Sequence, residues 1–274
     1  MEIRAPGAAQ ALEIYVEARA AGKMPTASQV IAAFKACGSL NRLDTGREIH
    51  AQLLQESVVM VHRNTCVATA LVDMYAKCGS LGEAIQIFQT MQCRRSVVTW
   101  NCIILGCAHA GDFHQALELY SRMDCPPNHV TFLAALKACI GVAGEEEKVK
   151  KEEGGGGVER IQCLGKIRVL HREATREMVS GIHIFVANSL ITAYSKCGSL
   201  REALDVFQGM KEHSVVSWTE IIMAYAGNGG GKMALQLYDQ MLEQGFFPSR
   251  VTLLAALKAC CCSSVTEEGA DKTW

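Results

Sequence analysis

The residues of this sequence that could do chemistry are its thirteen cysteines, one histidine–glutamate motif and one glycine-rich run. His171–Glu173 matches the first half of the zinc-deaminase pattern, in which H-x-E is followed by P-C-x-x-C, but no P-C-x-x-C follows it. The run Gly227–Lys232 precedes Met233, where a phosphate-binding loop needs Ser or Thr. Cys260–Cys262 are adjacent instead of spaced as C-x-x-C, which argues against a zinc knuckle. We therefore predict no catalytic residue, metal site, cofactor or small-molecule substrate.

An internal repeat accounts for many of these residues. The segment Ala70–Leu81 recurs 119 positions later as Ser189–Leu200, and Val97–Ile104 recurs 118 positions later as Val215–Ile222. A third motif, Lys-Ala-Cys, occurs three times. Three kinds of unit follow one another in a fixed order, which is typical of repeat architectures. Six of the thirteen cysteines fall at recurring positions, where we expect them to act as small packing residues: Cys37, Cys78, Cys107, Cys139, Cys197 and Cys260.

Each unit is predicted to form two helices separated by a glycine. In residues 65–78 the apolar side chains recur at three- and four-residue spacing, which gives one buried stripe. Gly79 should end this helix and Ser80 should cap the next one. Alanines at one position of each second helix should let the paired helices approach closely: Ala84, Ala116, Ala203 and Ala234. Because one unit cannot bury both stripes, neighbouring units must stack, and the sequence predicts an all-α solenoid.

The repeat motif sets the predicted boundaries. The units are residues 27–64, 65–96, 97–128, 129–183, 184–214 and 215–249, with a second helix alone in 1–26 and a partial unit in 250–274 that stops early in its second helix. The long fourth unit holds a charged and glycine-rich insertion at 144–157, which should be a solvated, mobile loop. Both ends of the chain fall within a unit, so we expect a sequence truncated at both ends.

Composition excludes several other classes of protein. The chain is 49% hydrophobic and 20% charged, which argues against disorder, and its glycines show no collagen register. The net charge is −1, so no global positive field indicates a nucleic-acid partner. No apolar run approaches the about 18 residues that span a bilayer. From the opening residues we expect neither a secretory signal nor an obvious organellar transit peptide, and the odd number of cysteines favours a reduced, intracellular protein.

The units resemble the pentatricopeptide repeat, in the plant-type array that alternates standard, long and short repeats. Tyr75–Leu81 and Tyr194–Leu200 are similar to the short repeat, and Val97–Asn101 to the start of the standard repeat. Leu136–Cys139 and Gly46–His50 are similar to the long repeat. The resemblance covers about residues 9–269, apart from the insertion. It implies a right-handed α-solenoid of helix-turn-helix repeats that binds single-stranded RNA, one repeat to one base.

The resemblance also implies which residues read the bases. A polar residue in the first helix acts with the last residue of the same repeat, and an apolar residue near the start of the repeat sandwiches the base. The implied reader pairs are Thr69 with Ser96, Asn101 with Asn128, Asn188 with Ser214, and Thr219 with Ser249. The implied sandwiching residues are Cys66, Val98, Phe185 and Val216. The Asn188 pair would prefer cytosine, the Asn101 pair a pyrimidine, and the two threonine pairs a purine, adenine in particular.

The long repeats have apolar Ile31, Leu133 and Leu254 at the first reader position, so weak or no base discrimination is expected there. The resemblance further implies a mitochondrial or chloroplast location and a role at RNA processing or C-to-U editing sites. A deaminase or another editing factor would then act in trans. Two alternatives stay open: a helical scaffold that binds proteins, and a non-functional fragment of a larger protein.

Overall fold

The computed structural model describes residues 7–56, 61, 63–153, 158–177 and 182–268, which form helices and no strand. The chain divides into two compact units, Met1–Ala135 and Leu136–Trp274, with the division inside one long helix. Within each unit helix pairs stack side by side, which confirms the all-α solenoid class. The right-handed sense and the repeat boundaries stay predictions.

The first unit is built from successive helix pairs. Its helices are α1 (Gly7–Ala20), α2 (Ala27–Leu40), α3 (Leu43–Glu56), α4 (Thr65–Lys77), α5 (Leu81–Thr90), α6 (Val97–Ala110) and α7 (Phe113–Ser121). The first helices of consecutive pairs pack on one another, since α4 contacts both α2 and α6. The second helices α5 and α7 pack on the first helices of their own pairs.

The second unit has the same order. Helix α8 (His129–Glu153) runs across the division, and α9 (Val158–Glu177), α10 (Ile184–Lys196), α11 (Leu200–Gln208), α12 (Val215–Gly227), α13 (Gly231–Glu243) and α14 (Arg250–Glu268) follow. Helix α12 contacts both α10 and α14, and α11 and α13 pack on α10 and α12. The first helices of both units therefore form continuous rows, and these rows carry the predicted reader positions.

The core contains the small residues that the repeat pattern indicates. All four alanines of the second helices, Ala84 and its equivalents, are fully buried. Cys37, Cys107 and Cys139 are buried, and burial raises the pKa of the Cys37 thiol to about 11 and that of Cys107 to about 12, which makes them unreactive. Cys78 and Cys197 are half-buried. The expectation is wrong for Cys260, which is exposed.

Glycine ends the first helices as expected, but the capping prediction is wrong in its detail. Gly79 and Gly198 have φ of 77° and 76°, the left-handed region that favours glycine. Ser80 precedes α5 and its equivalent Ser199 precedes α11, yet neither side chain makes a capping hydrogen bond to the backbone. Each hydroxyl donates instead to the glutamate three residues on, Ser80 to Glu83 and Ser199 to Glu202. Both glutamates also accept from an arginine, and the serine rotamers that donate to these carboxylates make no bond from the hydroxyl oxygen to the helix backbone.

Two segments differ from the sequence expectation. The charged part of the insertion, through Glu153, continues α8 as helix instead of forming a loop, in keeping with the good helix propensity of Glu and Lys. Residues 154–157 of the insertion lie outside the described residues. At the other end α14 is one helix from Arg250 to Glu268, and no second helix begins within it, since no Gly or Pro interrupts 251–267.

In the part of the chain that the structure describes, every helix is too short or too polar to cross a membrane.

Candidate functional site

The last residue of each reader pair lies directly before the first helix of the next repeat and caps it. Ser96 and Ser214 accept hydrogen bonds from the backbone N–H groups of Thr99 and Ser217, at 3.2 Å in both cases. Asn128 makes the same bond with the N–H of Thr131. Capping of this kind fixes the side chain at the helix N-terminus, so these positions are held in place by local backbone geometry.

The Asn101 site joins both members of its predicted pair. The amide nitrogen Nδ2 of Asn101 donates to Oδ1 of Asn128 at 3.1 Å. The hydroxyl of Thr131 donates to Oδ1 of Asn101 at 2.6 Å and lies 3.1 Å from Oδ1 of Asn128. Asn101 and Thr131 are buried and Asn128 is half-buried. The three side chains therefore lie within hydrogen-bond distance of one another.

In the first unit, the Thr69 site connects its pair through a third residue. The hydroxyl of Thr69 lies 2.7 Å from that of Thr99, which in turn lies 3.0 Å from the hydroxyl of Ser96. Thr69 and Ser96 are half-buried, whereas Thr99 is fully buried.

The Thr219 site of the second unit repeats this chain of hydroxyls. Thr219 lies 2.6 Å from Thr252, and Thr252 lies 2.8 Å from Ser249. Because Thr219 donates its only hydroxyl proton to the carbonyl oxygen of Val215, it must accept the bond from Thr252.

The Asn188 site is the exception. Ser217 bonds to Ser214 at 3.0 Å, but neither serine reaches the side chain of Asn188. The oxygen Oδ1 of Asn188 is buried and has no hydrogen-bond partner. A buried acceptor without a partner costs about 1–3 kcal/mol, so this amide has the strongest need for an incoming donor.

The predicted sandwiching residues are apolar and exposed, an unusual combination for a packed helix. Val98, Phe185 and Val216 keep 56%, 61% and 55% of their surface accessible, and Cys66 is also exposed. Each lies three residues before a reader, at the start of its first helix. In each of these four predicted repeats an exposed side chain thus lies about one helical turn before the predicted reader.

A third polar position was missed by the sequence reasoning. Thr99, Thr131, Ser217 and Thr252 are the third residues of their repeats and are all fully buried. The signal that could have found them is a hydroxyl residue in the middle of an apolar run, as in Val97-Val98-Thr99-Trp100. A buried polar side chain needs a partner, and here the partner is supplied by the preceding repeat.

The first reader positions of the long repeats carry no polar group. Ile31 and Leu133 are half-buried, and Leu254 is 59% exposed. The repeat after each of these has valine as its third residue, Val67 after the repeat of Ile31 and Val186 after that of Leu133, and both valines are fully buried. These positions present no donor or acceptor to a ligand.

Charged side chains surround a cavity of about 450 Å³ in the second unit, one helical turn from Asn188. Thr192 donates to the carbonyl oxygen of Asn188 and lies 2.8 Å from the carboxylate of Glu220. Three cationic residues line the same cavity: Arg160, Lys196 and Lys258. Cations thus outnumber carboxylates locally, although the whole chain carries a net charge of −1.

The histidine of the motif that resembles half of a deaminase site lies in a cluster with a tyrosine, an arginine and a glutamate. His171 Nδ1 lies 3.1 Å from the hydroxyl of Tyr194, and burial lowers the pKa of this histidine. Beside them Arg168 binds Glu202 at 2.7 Å and holds the pKa of that carboxyl below its ordinary value. His50, Tyr75, Arg47 and Glu83 repeat the cluster in the first unit. Across the described ranges no group of His, Cys, Asp and Glu side chains could hold a metal ion.

Fold and site together define a helical-repeat protein whose repeats carry polar pairs at fixed positions. The PPR repeat family model matches residues 95–141 and 213–262, and the PPR repeat model matches residues 66–96 and 185–215. The chain belongs to the pentatricopeptide repeat (PPR) family.

Several named proteins are similar to it. The pentatricopeptide repeat-containing protein At2g33680 of Arabidopsis thaliana is 32% identical over 95% of this chain and 33% of its own length. The protein CRR2, chloroplastic, of the same plant is 33% identical over 84% of this chain and 32% of its own length. Among solved structures, the crystal structure of the pentatricopeptide repeat protein PPR10 in complex with an 18-nt psaJ RNA element aligns with 95% of this chain and 51% of that one. The two sequences are 17% identical, and the TM-score is 0.42. The chain thus spans about a third of the length of these two Arabidopsis relatives.

Proposed function

We propose that this chain binds single-stranded RNA and that each of its standard and short repeats reads one base. Membership of the PPR family supports this proposal, because PPR repeats read RNA with two or three side chains per base. The observation that carries it is the direct hydrogen bond between Asn101 and Asn128, two residues separated by 27 positions in the sequence. Their amide groups can meet the hydrogen-bonding edge of a base, and exposed Val98 can pack on its face.

The same reasoning extends to the other three pairs. Thr69 with Ser96, Asn188 with Ser214 and Thr219 with Ser249 are proposed to read one base each, and Cys66, Phe185 and Val216 to pack on the neighbouring bases. The long repeats, with Ile31 and Leu133 at the reader position, are proposed to pass over a base without discrimination. The cations that line the cavity beside Asn188 are proposed to lie near the phosphates.

The chain is further proposed to act by binding alone. Its role would be to mark a processing site or a C-to-U editing site in an organellar transcript, while a deaminase or another factor in trans performs the chemistry. Names of relatives such as CRR2, chloroplastic, support an organellar setting. Sequencing RNA that is cross-linked to the chain in chloroplast and mitochondrial extracts tests this part.

Net charge predicts how the affinity depends on salt. With 27 basic against 28 acidic residues, the chain can neutralise few phosphates, so the logarithm of affinity should fall only shallowly with the logarithm of salt concentration. A titration of fluorescent oligo-RNA between 50 and 200 mM salt measures the slope. A steep slope would mean that phosphate contacts, not base contacts, dominate.

Exchange of one reader tests the base-reading proposal directly. The wild-type chain and the Asn188→Thr variant are each incubated with a randomised 12-nucleotide RNA pool, and the bound RNA is sequenced. We expect one position to change from cytosine to adenine, because the variant pair then matches Thr219 with Ser249. Thr175→Val, at an exposed position on α9 outside the site, is the control. An unchanged preference at every position would contradict the proposal.

A further inference from the structure

The third residue of a repeat varies with the reader of the preceding repeat. Where that reader is polar, the third residue carries a hydroxyl, in Thr99, Thr131, Ser217 and Thr252. Where that reader is Ile31 or Leu133, the third residue is valine, in Val67 and Val186. All six third residues are fully buried, so solvent exposure does not explain the difference.

Side-chain contacts account for the hydroxyl at the third position in three of the four repeats that follow a polar reader. The hydroxyl of Thr131 donates to Asn101 at 2.6 Å, Thr252 lies 2.6 Å from Thr219, and Thr99 lies 2.7 Å from Thr69. These distances lie in the ordinary range for hydrogen bonds between two oxygen atoms. The third-position hydroxyl of one repeat therefore contacts the reader of the preceding repeat, and this hydroxyl residue is itself buried and not exposed to a ligand.

We infer that this third-position hydroxyl is a positioning residue that fixes the orientation of the reader side chain and thereby sets the base preference. The inference rests on the proposed function. At the Asn101 site the hydroxyl of Thr131 holds Oδ1 of the amide, so Nδ2 must point to Asn128. A rotation of the amide by 180° would place its oxygen against Oδ1 of Asn128, which the N–H of Thr131 holds in place, and the hydroxyl of Thr131 would lose its acceptor on Asn101. The network therefore favours one orientation.

A fixed amide can separate two pyrimidines that a rotating amide cannot. Cytosine and uracil differ by an exchange of donor and acceptor at N3 and at the exocyclic group on C4. An asparagine amide offers a donor on one side and an acceptor on the other. If the amide turns freely it matches either base, whereas a locked amide matches one of them better. The hydroxyl thus controls discrimination within the pyrimidines more than affinity for them.

The Asn188 site offers the converse case. Ser217 is the only serine among the four hydroxyl residues, and Oδ1 of Asn188 has no partner in the described residues. The β-methyl group of threonine restricts its χ1 rotamers, and serine lacks that restriction. Asn188 is therefore unlocked, and its preference for cytosine over uracil should be weaker than the preference of Asn101 between the two pyrimidines, which reverses the order that the repeat resemblance implies.

The chain itself shows that a valine is tolerated at this position. Val67 follows Asn64, whose side chain still caps α4 by accepting from the N–H groups of Cys66 and Val67. Thr131→Val gives α8 the same combination, an asparagine cap with valine three residues later, so the variant should fold with its helix cap retained. Ser217→Thr adds the methyl group that the other three sites carry.

The test compares these two variants in the randomised 12-nucleotide RNA pool. Asn101→Thr and Asn188→Thr first identify the two RNA positions that these readers face. At the Asn101 position, Thr131→Val should lower the ratio of the preferred to the other pyrimidine by about fivefold, the factor of one lost neutral hydrogen bond. At the Asn188 position, Ser217→Thr should raise the ratio by a similar factor. Thr175→Val is again the control, and all other positions should be unchanged.

The outcomes separate the inference from the proposed function. If the wild-type chain selects no base at any position, the proposed function fails. If it selects bases but both variants leave the pyrimidine ratios unchanged, the inference fails and the proposed function stands. Equal loss of affinity for all four bases in Thr131→Val, with an unchanged ratio, would show that the hydroxyl has only a structural role. Circular dichroism spectra confirm in each case that the variant is folded.

Discussion

Two equivalent tryptophans provide a sharp test of the packing described for the two units. Trp100 and Trp218 are buried near the starts of α6 and α12, and their ring centroids lie 4.7 Å from those of Phe88 and Phe207 in similar edge-to-face geometry. Their indole N–H groups differ. Nε1 of Trp100 donates to Oδ1 of Asp124 at 2.8 Å, whereas Nε1 of Trp218 is buried without a hydrogen-bond partner.

Replacement of each tryptophan by phenylalanine removes the same atoms, so the transfer and cavity costs largely cancel in the comparison. Trp100→Phe additionally loses a hydrogen bond to a charged group. We take its contribution to stability as about 1.5 kcal/mol, the lower limit for such bonds, because Asp124 is exposed. Trp218→Phe removes a buried unsatisfied donor, which relieves about 1–3 kcal/mol. We therefore expect Trp218→Phe to be less destabilising than Trp100→Phe by about 3 kcal/mol.

Hydrogen exchange measured by mass spectrometry suits this prediction, because peptides from α6 and α12 report on the two units separately. The free energy of opening should fall more in α6 for Trp100→Phe than in α12 for Trp218→Phe. Asp124→Ala is the control, since it leaves the indole of Trp100 unpaired, as that of Trp218 already is. Equal costs for the two variants, or a larger cost for Trp218→Phe, would refute the reasoning.

Three further predictions concern packing, acid stability and ligand binding. A Cβ atom at Gly106 would lie 2.8 Å from that of Ala76, so Gly106→Val should destabilise the first unit by about 1–3 kcal/mol in urea unfolding, while Gly227→Ala, with nothing within 4 Å, should not. Arg168 lowers the pKa of Glu202, so this pair stabilises the folded state fully above the ordinary glutamate pKa of 4.5. The stabilisation is lost as the pH falls through the lowered pKa of the folded state, and Glu202→Gln should therefore reduce the dependence of unfolding free energy on pH in the acid range. Phe185→Ala should leave the melting temperature nearly unchanged, because the ring is 61% exposed, yet weaken RNA binding about tenfold in a fluorescence titration.

Sequence periodicity was sufficient to predict the helices, but it did not predict the hydrogen-bond networks between their side chains. The stripe that includes Leu71, Met74 and Tyr75 predicts a buried helix, and all three residues are buried. Glycine at position 79 predicts a helix end, because a left-handed residue is needed there. These features depend on local spacing, which a sequence shows directly.

The features that sequence reasoning missed depend on contacts between repeats. Thr131 reaches Asn101 across 30 positions, and no local pattern indicates that a hydroxyl at the start of one helix serves the helix before it. Ser80 looks like a helix cap by position, but its hydroxyl turns to Glu83, whose charge is held by Arg47 from the preceding repeat. Competition between a local and a tertiary partner is decided by geometry that the sequence does not contain.

The duplicated charged cluster gives a physical reason for the order of the repeats. In each unit the second helix of a long repeat contributes an arginine and a histidine, and the following short repeat contributes the glutamate and tyrosine that bind them. The standard repeats carry Gln115 and Met233 at the position of that glutamate, so they would leave the arginine without a carboxylate. The contact thus favours a short repeat after each predicted long repeat. The same predicted long repeats have Ile31 and Leu133 at the first reader position, so they combine a specific contact to the next repeat with an apolar side chain where the other repeats have Asn or Thr.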